Sequence, residues 1–149
     1  VYKRQVRKLR WAAQLHEIGS HISHSDYHKH GAYILDNADA MGFSVAEMHR
    51  LGILVLGHRG KLRKVEEALA EDGLRMQLAV LRLAVILCHA RREPQIQDMA
   101  LRRNPDGGLS LRYSASWAEK FPQSAYLLQE ESVAWQKTSW TLECGESQR

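Results

Sequence analysis

The stretch "LRMQLAVLRLAVILCHARR", residues 74 to 92, limits the fold more than any other part of the chain. Apolar residues recur there at helical spacing on most faces, which describes a helix buried in a bundle. Arginines gather at its C-terminal end, where the helix dipole favours cations. Its unbroken apolar runs, such as "LAVILC", are far shorter than the roughly 20 residues that cross a bilayer.

The remaining segments supply partners for such a helix. Leu9, Ala12, Ala13, Leu15 and His16 describe an amphipathic helix ending near Gly19. Ser25 or Asp26 is placed to cap a second helix bearing Tyr27, Tyr33, Ile34 and Leu35, which closes at "DAMGF". "FSVAEM" carries a full start signal, with Ser44 as cap, Glu47 three residues on, and Phe43 facing Met48. That third helix runs through "LGILVLG" to "HRGK", and a short charged helix, "VEEALAED", breaks at Gly73. After Pro94 the period changes: "IQDMALR", "NPDGG" and "LSLRY" read as a β-hairpin with Leu109, Leu111 and Tyr113 on one face. Trp117 and Phe121 precede Pro122, and a last helix carries Tyr126, Leu127, Leu128 and Trp135. The expectation is a mainly α fold, a helical bundle with one late β-hairpin and a C-terminal helix, forming a single domain over residues 1–149.

Composition agrees with an ordinary core: the chain has 149 residues, 44% hydrophobic and 26% charged, which argues against disorder. No leader with a small-residue cleavage site is visible, and Cys88 and Cys144 form no disulfide framework, so a cytoplasmic setting is expected. The chain opens at Val1 inside what reads as a running helix, as a C-terminal fragment of a longer protein would. A net charge of +4 favours anionic partners without naming one.

Residues 15 to 35, "LHEIGSHISHSDYHKHGAYIL", hold five of the eight histidines: His16, His21, His24, His28 and His30, with Glu17 and Asp26 among them. Such a cluster suits a metal, an anion, or the remains of a metal site. Set beside "GFS", "HRGK" and "LRLAVIL", the ordered motifs "LHEIG", "ISH" and "YHKHGAYILDNAD" resemble the C-terminal domain of the exopolyphosphatase and guanosine pentaphosphate phosphohydrolase family. The likeness runs from about Trp11 to Trp135.

The resemblance implies an HD-superfamily-like helical domain, accessory to actin-like catalytic domains that this chain lacks. It implies no catalytic residue here, magnesium for the parent enzyme, and a role in binding polyphosphate or guanosine pentaphosphate and in forming a homodimer. An HD phosphohydrolase holds its metal with a His, an adjacent His-Asp pair and a distant Asp. Here His16-Glu17 stands for the pair, no histidine lies upstream, Val85 takes the place of the late Asp, and Ser20 replaces the usual lysine. No metal is therefore expected. His16, Glu17 and His58 are what remains for an alternative reading, an autonomous HD-type phosphohydrolase acting on a nucleotide. A helix-packed His16 satisfied by Glu17 or a backbone carbonyl is the simpler account.

A polyphosphate surface needs cations at intervals. "HRGKLRK" offers His58, Arg59, Lys61, Arg63 and Lys64 around Gly60, which permits close approach, and His24, His28, Lys29 and His30 are expected on the same surface. Protonation of the histidines would strengthen binding at mildly acid pH. Solvated charge is the competing account of the same residues, and a purely structural dimerisation domain is the competing function. Neither aromatic-basic interleaving nor a recognition helix points to specific nucleic-acid binding.

Overall fold

The computed structural model describes residues 2–147 and shows a mainly α chain with a small sheet near its C-terminal end. It divides into two compact units, residues 1–82 and 83–149.

In the first unit, α1 (Tyr2–Leu15) is followed by a 3-10 turn (Ile18–His21), α2 (Tyr27–Asn37) and α3 (Val45–Gly57). A 3-10 helix (Leu62–Ala70) then leads into α4 (Asp72–Leu87), whose residues from Leu83 onward fall in the second unit. The α3 start is as expected: Ser44 Oγ accepts from the Glu47 amide at 3.2 Å, and Glu47 returns a bond from the Ser44 amide at 3.1 Å. Three sequence expectations need correction here. α1 stops at Leu15 rather than near Gly19. Asp26 sits at φ +54 and makes no cap with its side chain, because its carboxylate is bound to Lys29. The charged helix "VEEALAED" is 3-10 in form and begins earlier, at Leu62.

α2 and α3 pack closely because small residues line their contact. A Cβ at Gly31 would lie 2.8 Å from Val55 Cγ1, and one at Gly52 would lie 3.0 Å from the Asp36 carboxylate. Gly19 is tighter still, its hypothetical Cβ falling 1.9 Å from the Tyr27 carbonyl oxygen. Leu35, Leu51, Leu54, Val55 and Leu78 fill the interior. A polar brace ties three helices: Arg50 donates to Gln77 at 2.9 Å and to Glu71 at 2.7 Å, and Gln77 donates to the Gln5 carbonyl at 2.8 Å.

The second unit holds β1 (Ala100–Arg103), β2 (Leu109–Tyr113), α5 (Ala115–Lys120), α6 (Pro122–Trp135) and β3 (Leu142–Glu146). β1 and β2 form the expected hairpin, with Leu101 opposite Leu111, closed by a turn in which Gly107 adopts φ +86. The sheet has a third strand that the sequence reading did not include: β3 pairs parallel to β2, Leu109 beside Leu142 and Tyr113 beside Glu146. Helices α5 and α6 form the crossover that parallel pairing demands. Leu109, Leu111 and Tyr113 are buried. Trp135 is fully buried, donates to Glu131 at 2.7 Å and meets Trp140 edge-on at 5.0 Å.

Candidate functional site

The two basic segments converge in the first unit. His58 ends α3, and the turn after it carries Arg59 and Gly60, the latter at φ +74. Tyr27 and His28 occupy the first turn of α2. The Arg59 guanidinium lies 4.7 Å over the Tyr27 ring, an arrangement in which the ring face attracts the cation. His24 stacks on the same ring at 5.8 Å. The rings of His16 and Tyr27 flank His58 at 5.1 and 5.6 Å, and His28 approaches it at 6.5 Å.

Carbonyl groups at the end of α3 and in the turn hold two cations. Arg82, buried on α4, donates to the Gly57 carbonyl at 2.7 Å and the Gly60 carbonyl at 3.1 Å. Lys64 Nζ donates to the Arg59 carbonyl at 2.5 Å. A helix C-terminus is the end of the dipole that accepts positive charge, which accounts for their position. Gly60 leaves room for the amine, since a Cβ there would stand 3.1 Å from Lys64 Nζ.

The electrostatics follow from burial among like charges. Desolvation, with Arg82, Lys29 and Arg59 nearby, brings the Lys64 ammonium down to about 8. Burial, with Lys64 and Arg59 beside it, brings His28 down to about 4. His58 falls to about 3, mainly through burial, although its bond to Val55 opposes the shift. Its Nδ1–H donates to the Val55 carbonyl at 2.5 Å, which fixes the tautomer and leaves Nε2 buried without a partner. His28 Nδ1 is likewise buried and unpartnered. The expectation that these histidines add charge near pH 6 is therefore corrected for His28 and His58, which stay neutral there.

Other residues proposed from the sequence are distributed more widely. Lys29 is exposed and paired with Asp26 at 3.2 Å, which holds that carboxyl below its usual range. His30 is half-buried, and Lys61 and Arg63 are exposed. Arg63 lines a groove of about 820 Å³ with His49, Lys64, Glu66 and Glu67, where carboxylates share the space. His16 donates from Nδ1 to the Ala13 carbonyl at 2.6 Å, the backbone partner anticipated for it. Among the described residues no three His, Cys, Asp or Glu side chains gather to hold a metal, so His16, Glu17 and His58 do not form a ligand set.

Tyr27 and Arg82 belong to the cluster, yet the sequence reading left them out of the site. Tyr27 was legible as the one aromatic between His24 and His28, and Arg82 as a lone cation inside "LAVLRLAV".

The helical unit and its cation-rich turn belong to a defined class of phosphatase domain. The Ppx/GppA phosphatase domain III model matches residues 2–132, and the chain belongs to that family. Among curated proteins, it is 38% identical over 87% of its length to a guanosine-5'-triphosphate,3'-diphosphate pyrophosphatase of Pseudoalteromonas translucida. Proteins of the same name from Vibrio atlanticus and Vibrio cholerae are 36% and 35% identical over 90% of the chain. The chain spans 27% of the length of each of these relatives.

Proposed function

We propose that this chain is the accessory third domain of a phosphatase acting on guanosine pentaphosphate or polyphosphate, and that its cationic turn binds the phosphoryl groups of such substrates. The observation that carries the reading is the convergence of Arg59, Lys64 and Lys29 around Tyr27, Gly60 and His28, in a family whose named relatives are pyrophosphatases of a guanosine polyphosphate. Arg59 and Lys29 are exposed and supply charge directly. Tyr27 orients the guanidinium, and Arg82 fixes the turn from beneath. His24 and His30 border the surface, and Lys61 and Arg63 extend it along the chain.

Catalysis and magnesium belong, in this reading, to preceding domains of the parent enzyme, and homodimer formation is part of the same reading. No helix among the described residues is long and apolar enough to cross a membrane, and cytoplasmic residence is part of the proposal.

The test is calorimetric titration with long-chain polyphosphate, guanosine pentaphosphate and pyrophosphate at two salt concentrations. Affinity should rise with chain length and fall with salt, and Arg59→Ala should flatten the salt dependence by about one unit of slope. Binding that ignores salt, or an Arg59→Ala variant identical to the parent chain, overturns the assignment.

A further inference from the structure

The second unit contains a cavity of about 480 Å³, lined wholly by its own residues. That lies within the range of roughly 300 to 1,000 Å³ in which small molecules are bound. Trp117, Phe121, Pro94 and Leu87 give it apolar walls, and the Trp117 and Phe121 rings meet at 5.4 Å and a 41° tilt. Aromatic surfaces of this kind favour a flat ring packed against them. The rim is polar and exposed, formed by Arg92, Glu93, Gln95 and Lys120. Lys120 Nζ donates to the Gln95 side-chain oxygen at 2.8 Å and stands 5.5 Å from the centre of the Phe121 ring. Its charge is thereby held beside the aromatic wall and within reach of solvent. Trp117 is 5% exposed, and its indole N–H is buried with no acceptor among the described residues. A donor left unpaired in a cavity wall is costly until an acceptor reaches it. Helix α6 also starts here: its N-cap Phe121 makes no side-chain cap bond, and Ser124 of its first turn lines the cavity.

We infer that this cavity binds a small aromatic carboxylate, with its flat ring against Trp117 and Phe121 and its anionic group at Lys120 and the start of α6. The partial positive charge of a helix N-terminus adds to that of the lysine. Arg92 and Lys120 against Glu93 leave one net positive charge on the lining, which matches a singly charged carboxylate better than a doubly charged phosphate ester. A neutral ring gains the stacking and leaves Lys120 without its anion; acetate meets Lys120 and leaves the walls bare. The inference stands whether or not the first unit binds phosphoryl groups, because the two sites share no residue.

The experiment is to titrate the nitrogen-15-labelled chain with indole-3-acetate and follow the assigned indole N–H resonances of Trp11, Trp117, Trp135 and Trp140 by NMR. The Trp117 signal should shift saturably while that of Trp11, in the first unit, stays in place. Indole alone and acetate alone should each bind at least about tenfold more weakly. Lys120→Gln, an exposed change, should weaken indole-3-acetate about tenfold and leave indole unaffected. A Trp117 resonance that does not move, or four signals that move alike, overturns the site. Equal affinity for indole and indole-3-acetate, or a Lys120→Gln variant identical to the parent chain, overturns recognition of the anion.

Discussion

Acidification should unfold this chain through His58, and the size of the effect can be worked out. The ring is buried at 2% exposure, its Nδ1–H is committed to Val55, and a proton arriving at Nε2 would be a charged donor with no acceptor, near His16, His28 and Arg59. In the folded chain its value is about 3, whereas an unfolded histidine titrates near 6.5. The unfolded state therefore binds the proton first, so stability is intact above the unfolded value and falls as pH drops towards the folded one. At pH 5 the linkage relation gives a loss of about 2 kcal/mol relative to pH 8 from this single group. Urea unfolding followed by far-UV ellipticity at pH 8, 6 and 5 measures it, and His58→Gln should lose about 2 kcal/mol less than the parent chain over that interval. Far-UV ellipticity suits the purpose because three of the four tryptophans, Trp117, Trp135 and Trp140, lie in the second unit and only Trp11 lies in the first with the helices around His58. Equal losses in the two proteins, or an NMR titration of the His58 ring near pH 6.5, would refute the reasoning.

Two further outcomes test the packing. Gly19→Ala should cost about 3 kcal/mol or more, because its methyl group would fall 1.9 Å from the Tyr27 carbonyl, where backbone must move; a thermal melt within two degrees of the parent would contradict this. Ser44→Ala should cost about 1 kcal/mol by removing the acceptor for the Glu47 amide, read as a shifted urea midpoint at unchanged slope.

Periodicity and caps made much of the fold legible. The α3 start at Ser44, the hairpin around Gly107 and the α6 start at Pro122 all stand where local chemistry put them. Strand β3 escaped notice because "LECGE" is short and mostly polar, with Leu142 its one fully covered apolar side chain. Its identity comes from backbone pairing with a strand some 30 residues earlier, which no local pattern encodes. The site was legible as two basic segments but not as a cluster with an interior. That Lys64 and Arg82 bind carbonyls of one turn, or that His28 and His58 are buried and neutral, depends on the crossing of α2, α3 and α4. Sequence reading placed His28 and His58 with the surface charge because burial at a helix end leaves no mark on residue type.

The position of β2 between an antiparallel and a parallel neighbour has a consequence for the order in which the chain is completed. As the polypeptide emerges during synthesis, the hairpin of β1 and β2 forms while one edge of β2 still has no partner. Roughly 30 further residues, Ser114 to Thr141, must appear before β3 can cover it. Until then, the backbone groups beside Leu109, Leu111 and Tyr113 present an apolar, unpaired edge, the kind that templates pairing with another chain. A ribosome stalled in this interval, or a stop introduced before Leu142, would release a species prone to aggregate rather than one merely short of its last strand. Glu143 and Glu146 on β3 then place charge along the completed border of the sheet and protect it from further strand addition.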